Sequence, residues 1–395
     1  MDIFKVGIVG GGAMGGGIAA LIAKHGVPVI VKEATPELAE KARQGIYGRF
    51  EKWYQRNKID EHRFEQLKSY VEVTINSADL ADVDLLIEAI VEKLEPKLAV
   101  FREFDVILRP EVVMASNTST LPISKLAAAT NRPDRVIGTH FFNPPTTMQL
   151  VEVVPGEKTS AETLVAIEDF LVSTCEKQLI RAKDQPGFLV NCLLLPYLNE
   201  GVLGIETSRV SIENIDRQAR EFGWPMGPFT LLDAVGIDVA YFAGQVIAEA
   251  YPERIVMPAV YKKLLDLSRI GEKTGAGFRV MHGEWPDIEN LLEEWYPNRG
   301  VTLATEEIFE RMMAGFLNEA VGALEHRVAS KEHIELGCQL GIGCPKNGPL
   351  HIVDEMGAAK LLATLEKWAV KEPRFAPYQL LRDMAAKNER FFTDW

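Results

Sequence analysis

Apolar runs and helical patterns alternate over the first half of the chain, and helical periodicity governs the second half. Lys5–Val9 reads as a short strand, followed by the helical pattern IAALIAKHG and by a second strand, VPVIVKE, that ends at Glu33. Residues 36–69 are helical and charge-rich, and the alternating stretch VEVTI at 71–75 predicts a strand. Leu85–Val91 is apolar apart from Glu88, which suits the interior of a parallel sheet. A helix, KLAVFREFDVIL, leads to the buried strand Val112–Ala115 and its sequel SNTSTLPIS. Val136–Gly138 predicts another buried strand, with Thr139 and His140 at its carboxyl end, and LVEVV follows after a proline turn. Alternation of this kind to about residue 183 predicts an α/β fold with a doubly wound parallel sheet.

Pro186-Gly187 breaks the pattern, and the remainder reads as all-helical. That part repeats itself. LNEGVLGIE (198–206) is echoed by LNEAVGALE (317–325), and GWPMGPFTLLDAVG (223–236) by GIGCPKNGPLHIVDEMG (341–357). The near-constant offset predicts two tandem copies of one helical domain, the second degenerate. GEKTGAGF (271–278) has no visible counterpart after the second copy. The expected domains are 1–184, 185–298 and 299–395, in keeping with the two or three that 395 residues allow at roughly 150 residues each.

Composition adds exclusions. With 47% hydrophobic and 25% charged residues the chain is an ordinary globular one. A net charge of −13 argues against nucleic acid or an anionic membrane surface as a partner. Cys175, Cys192, Cys338 and Cys344 have no metal-ligand spacing, so no metal is expected, and four scattered thiols fit a reducing compartment. The first strand begins at once, with no cleavable apolar segment, and no stretch reaches membrane-spanning length. The expected location is the cytoplasm, with an organelle matrix reached through a removed targeting sequence as the other possibility.

The chemistry follows from position. Gly10-x-Gly12-x-x-Gly15, between a strand and a helix, is the pattern of a dinucleotide site, and Ala13 and Met14 share its loop. The helix N-terminus offers N–H donors to a pyrophosphate. Glu33, at the end of the second strand, stands where an acid meets the adenosine ribose. It favours NAD over NADP, a preference that Lys32 softens. Glu152, the one charge in an apolar strand, needs a partner, and the imidazole of His140 is a suitable one. Such a carboxylate fixes the imidazole tautomer and leaves the other nitrogen as a base. A core histidine beside a satisfied glutamate is the competing reading. Between them Asn143, Pro144 and Pro145 form a rigid turn. Ser119 is expected at the same rim, either holding a substrate oxygen or capping a helix. Glu92 and Lys97 are placed at that rim too, unless they form a solvated charge pair. Asn191, on an apolar helix, either stands beside the reacting atoms or bonds another helix. Arg49, Lys52, Arg56 and Lys58 make the charged hairpin a solvated face or a phosphate-binding one.

Taken together, GGGAMGGG with KE, EAIVEKLEPK, SNTS, GTHFFNPP with LVEVVPG, DQPGFLVN, GWPMGP and EKTGAGF resemble the NAD-dependent (S)-3-hydroxyacyl-CoA dehydrogenases, in family order over roughly residues 5–280. The duplicated helical part is similar to the dehydrogenase part of multifunctional fatty-acid oxidation enzymes, without their hydratase domain. The resemblance implies a Rossmann-type NAD-binding domain, an acyl-CoA substrate and β-oxidation chemistry. It also implies His140 as base, Glu152 as its orienter, and Ser119 and Asn191 on substrate oxygens. Glu33, Glu92, Lys97, Asn143 and Lys273 are then implied to line the cofactor, and Lys58 is a guess for the CoA contact. Two departures stand out: Cys192 follows Asn191 where the family usually has Arg, and FRVM follows the KTG glycines where FYxY is common. A dehydrogenase of a free hydroxy acid, of sugar-acid or carnitine type, is the alternative within the superfamily, and a non-catalytic NAD-binding scaffold is the alternative outside it. Family members with one helical domain dimerise through it, so the chain is expected as a monomer or homodimer, the second copy standing in for a partner.

Overall fold

The computed structural model describes residues 2–300 and 302–392, so the outermost limits of the expected first and last domains lie outside the described residues. The chain forms two compact units, Met1–Gln185 and Pro186–Trp395.

The first unit is built on an eight-stranded sheet: β1 (Val6–Val9), β2 (Val29–Lys32), β3 (Val71–Thr74), β4 (Leu85–Glu88), β5 (Val113–Ser116), β6 (Val136–Phe141), β7 (Leu150–Pro155) and β8 (Gln178–Arg181). Their order is β3-β2-β1-β4-β5-β6-β7-β8. The direction of winding reverses between β1 and β4, the point at which doubly wound sheets bind ligands outside the carboxyl ends of their strands. Helices α1 (Ala13–Lys24), α2 (Pro36–Gln55), α3 (Glu61–Ser69), α4 (Leu94–Ile107), α5 (Ile123–Ala127) and α6 (Ala161–Asp169) connect the strands. Ile18, Ala19 and Ile22 of α1 pack with Val6, Ile8, Val29 and Val31 in one buried cluster.

The parallel sheet expected from the apolar strands is corrected at one place. β6 and β7 are antiparallel, which makes the sheet mixed. A parallel return needs a crossover of a dozen or more residues, and the short connection with its two prolines leaves room only for a turn.

The second unit is helical: α7 (Val190–Thr207), α8 (Ile212–Phe222), α9 (Pro228–Val235), α10 (Ile237–Ala250), α11 (Ala259–Asp266), α12 (Ile288–Trp295), α13 (Thr305–Glu325), α14 (Lys331–Ile342), α15 (Pro349–Met356), α16 (Ala358–Ala369) and α17 (Gln379–Lys387). Polar staples recur along it in the same order. Ser211 and Ser330 cap α8 and α14. Asn199 donates to the Val256 carbonyl at 2.8 Å, and Asn318 to that of Ala376 at 3.0 Å. Glu206 accepts the Val260 N–H at 2.7 Å, and Glu325 that of Leu380 at 2.6 Å. Asp216 accepts the Phe229 N–H at 2.9 Å, and Glu335 that of Leu350 at 2.7 Å.

The last staple revises an expectation. Asp233 accepts the N–H groups of Phe278 and Arg279 at 2.7 and 3.1 Å; Asp354 accepts those of Phe391 and Phe392 at 2.8 and 2.9 Å. GEKTGAGF therefore has a positional counterpart at its end, in RFF (390–392). What the two stretches share is a pair of backbone donors, which any residue but proline supplies, so no letter of the sequence marks it. The two series also exchange partners: Arg254 pairs with Glu319 at 2.8 Å, and Arg374 with Glu200 at 2.5 Å. Reciprocity of this kind is the signature of a two-fold contact.

Candidate active site

The glycine loop sits at the end of β1. Gly10 has φ +96°, a conformation open to glycine, and a Cβ on Gly15 would lie 1.8 Å from the Gly10 carbonyl oxygen. The first and third glycines are thus required by the protein's own backbone. Gly12 differs. It is the N-cap of α1, no side chain caps that helix end, and a Cβ added there meets nothing within 4 Å. The first-turn donors of Ala13, Met14 and Gly15 therefore keep their side-chain-free N-terminus, and open space lies in front of it, which fits a pyrophosphate. Glu33 stands beside the loop and accepts the Gly11 N–H at 2.6 Å. Its carboxylate is half-buried, also accepts the Ala34 N–H at 3.2 Å, and can accept hydroxyl donors at its remaining lone pairs. Arg49 of α2 donates to the Ala13 carbonyl at 3.1 Å, and burial pulls its guanidinium below the usual arginine range.

His140 and Glu152 are directly opposite one another in the β6–β7 ladder, so the backbone register alone puts their side chains on one face. Nδ1 of His140 lies 2.7 Å from Oε2 of Glu152, and both side chains are buried. A carboxylate only accepts, so the shared proton belongs to Nδ1 and the lone pair to Nε2. The Phe142 ring packs against the imidazole at 4.8 Å between centroids.

The loop after β5 carries Ser119 and is held by carboxylates from the neighbouring strand's end. Glu92 Oε1 accepts the Thr118 hydroxyl at 2.5 Å and the N–H groups of Ser119 and Thr120 at 2.8 and 3.1 Å. Burial raises the Glu92 carboxyl, but Lys97 and the donors from Thr118 and Ser119 outweigh it and hold it below the usual glutamate range. Lys97 is buried, with its ammonium 2.7 Å from Glu88 and 3.2 Å from Glu92. Glu88 is fully buried and also accepts the Ser116 hydroxyl at 2.6 Å. Asn117 Oδ1 accepts the Phe141 N–H at 2.9 Å, which ties the Ser119 loop to the strand of His140.

Asn143 is exposed in the turn after β6 and precedes Pro144 through a cis peptide. Lys58 is exposed just beyond α2. Two further expected residues belong to the second unit. Asn191 is in the first turn of α7, where Cys192 bonds the Pro186 carbonyl through its thiol at 3.0 Å. Lys273 pairs there with Asp238 at 2.9 Å. The sequence reading missed Asn117, and it noted Glu88 only as an interruption. A charged residue inside an otherwise apolar strand was the available signal for Glu88, the same one that singled out Glu152. Asn117 carried none, since its role is one bond to backbone.

Comparison with known proteins places the chain. The model of the 3-hydroxyacyl-CoA dehydrogenase NAD-binding domain matches residues 5–185, and that of the same enzyme's C-terminal domain matches residues 187–280 and 308–390. A fatty acid oxidation complex subunit alpha from Psychrobacter cryohalolentis is 34% identical over 407 residues, covering 99% of this chain and 56% of that protein. The chain thus spans little more than half the length of such relatives. The structure of 3-hydroxybutyryl-CoA dehydrogenase from Escherichia coli superposes with a TM-score of 0.88 at 27% identity, covering 98% of this chain and 99% of that one. That of (S)-3-hydroxybutyryl-CoA dehydrogenase PaaH1 from Ralstonia eutropha gives 0.67 at 32% identity, over 71% of this chain and 100% of the other. With a strand–glycine–helix cradle, a histidine–glutamate pair in register and family models matched along both units, the chain belongs to the 3-hydroxyacyl-CoA dehydrogenase family, and its first unit is that family's NAD-binding domain.

Proposed function

We propose that this chain oxidises the 3-hydroxyl of (S)-3-hydroxyacyl-CoA to the 3-ketoacyl thioester, with NAD as cofactor, as a step of fatty-acid β-oxidation. The observation that carries this reading is the placement of the His140–Glu152 pair, in contact at 2.7 Å at the carboxyl end of β6 and beside the loop of Ser119. Glu152 holds the Nδ1–H of His140, so that in the neutral ring the lone pair is on Nε2, and that nitrogen takes the hydroxyl proton. Ser119 and Asn191 hold the substrate oxygens. NAD, when bound, supplies the acceptor for the C3 hydrogen and its electron pair. Gly10, Gly12, Ala13, Met14 and Gly15 hold the pyrophosphate and Glu33 the adenosine ribose, while Glu92, Lys97, Asn143 and Lys273 order the rest of the site. Lys58 is assigned to the CoA end. The test is NADH formation with (S)-3-hydroxybutyryl-CoA, longer 3-hydroxyacyl-CoAs and the free 3-hydroxy acids. Turnover of the thioesters is expected, and activity confined to free acids overturns the reading.

We read the second unit as two copies of one domain, 185–298 and 299–395, following a first domain of 1–184. The reciprocal Arg254–Glu319 and Arg374–Glu200 pairs support a second copy that takes the place of a partner subunit. The expected state remains a monomer or homodimer, with that surface satisfied inside the chain and a cytoplasmic location; light scattering that finds dimers, split by substitutions on the first copy, counts against the internal pairing. No single helix among the described residues is long and apolar enough to cross a membrane.

A further inference from the structure

Lys177 is one of the buried charges that the mechanism does not use. It is 7% exposed and lies just before β8, delivered inward by a π-helical turn over Phe170–Thr174 and by Glu176 at φ +53°. Its ammonium donates to two carbonyls, those of Pro145 and Met148, each at 2.6 Å. Among the described residues it makes no ion pair with a carboxylate. Burial pulls it below the usual lysine range, opposed by the Cys175 thiol and reinforced by Lys24. A buried cation without a counter-ion is costly, and here its bonds to the two carbonyls are what offset that cost.

Those groups belong to the turn between β6 and β7. The turn is closed on itself by the N–H groups of Thr147 and Met148, which donate to the Pro144 carbonyl at 3.0 and 2.9 Å. It also rests on the dinucleotide helix: a Cβ on Gly17 of α1 would come within 2.9 Å of Pro145 Cδ. Helix α1 and Lys177 thus both contact the turn, and its two ends are the strands of His140 and Glu152.

We propose that Lys177 is a positioning residue, whose ammonium fixes the turn joining the two strands and so sets the alignment of the His140 imidazole with the Glu152 carboxylate. The inference rests on the reading of that pair as the proton-transfer machinery. Two inward-facing carbonyls make the choice of residue intelligible. An ammonium brings three donors on a flexible stem, whereas an apolar residue leaves two buried acceptors unsatisfied.

The test compares Lys177→Met with wild type in the full chain, using NAD and (S)-3-hydroxybutyryl-CoA. Displacements of an ångström at a reacting group cost on the order of 10²-fold, so kcat is expected to fall about 10- to 100-fold, with KM for both ligands within about threefold. The pH profile of kcat should shift on its acid limb. In ¹⁵N spectra the Nδ1–H signal of His140, identified by its loss in His140→Gln, should weaken. A variant that melts earlier yet keeps wild-type kcat, pH profile and His140 spectrum overturns the proposal, as does a rise in KM for NAD alone. Lys177→Gln keeps amide donors for the turn and should recover part of kcat. It carries the same comparison if the methionine variant does not fold. Should the wild type turn over no thioester, the proposed activity fails, while the His140 spectrum, which needs no substrate, still decides the role of Lys177.

Discussion

Two histidine–carboxylate pairs among the described residues have nearly equal geometry. His140 and Glu152 meet at 2.7 Å in the first unit, His351 and Glu335 at 2.9 Å in the second. Their surroundings differ. His140 stands at the carboxyl end of a strand, opposite its partner in the ladder and beside the loop of Ser119. His351 is in the first turn of α15, covered on one face by the Phe392 ring, stacked at 4.0 Å. In the first helical copy the corresponding bond runs from the Thr230 hydroxyl to Asp216 at 2.6 Å, so the second pair is a staple in which a longer side chain replaced a shorter one. An imidazole bonded to a carboxylate is therefore no sign of catalysis by itself. Place in the sheet decides.

The largest expected contrast follows directly. His140→Gln should lower kcat by about 10²–10⁴-fold, the usual worth of a general base, with NAD affinity nearly unchanged. His351→Thr, which restores the residue of the first copy, should leave kcat within about twofold, as expected of a side chain remote from proton transfer. Equal losses in the two variants would erase the distinction. Next in size is Lys97→Met, which strands the fully buried Glu88 with Glu92 as a like-charged neighbour at the surface. Breaking a buried pair costs about 3–5 kcal/mol, readable as a lower urea midpoint. The helical copies offer a finer comparison. Asp233→Ala and Asp354→Ala each orphan two backbone N–H groups, at about 1–3 kcal/mol per buried group. The first should lose more, because Asp233 also receives the Arg279 guanidinium at 3.0 Å. A neutral Asp354→Ala would mean that the chain's end is not clamped as described.

The smallest effect is one of pH. The Glu92 carboxyl is held below its ordinary value of 4.5 in the folded protein. Its contribution is thus complete above that value and lost as the pH falls through the lowered one. The stability gap between wild type and Glu92→Gln should shrink as the pH falls below 4.5 and through the lowered value. A gap that widens on acidification contradicts the network drawn around Ser119.

Much of this was legible in the chain itself. Apolar runs ending in Gly10, Glu33 and His140 marked the strands and the rim, because buried parallel strands need unbroken apolar sequence. Glu152 stood out because a lone carboxylate in such a run demands a partner. The antiparallel turn was half visible in Pro144 and Pro145, yet strand direction is set by the length of a connection and not by strand composition. Lys177 was invisible among the charges near it, since only the fold shows that its neighbours are carbonyls. The end of the helical repeat was hidden for a similar reason: Asp354 grips main chain, and main chain has no letter.

The crossed Arg254–Glu319 and Arg374–Glu200 bonds have a bearing on inheritance. In a symmetric pair of separate subunits every replacement is imposed on both sides of the axis at once. When both sides are encoded in one gene product, each half mutates alone and its opposite can compensate later. Exchanges such as Thr230 for His351 and Asp216 for Glu335 then pass one at a time.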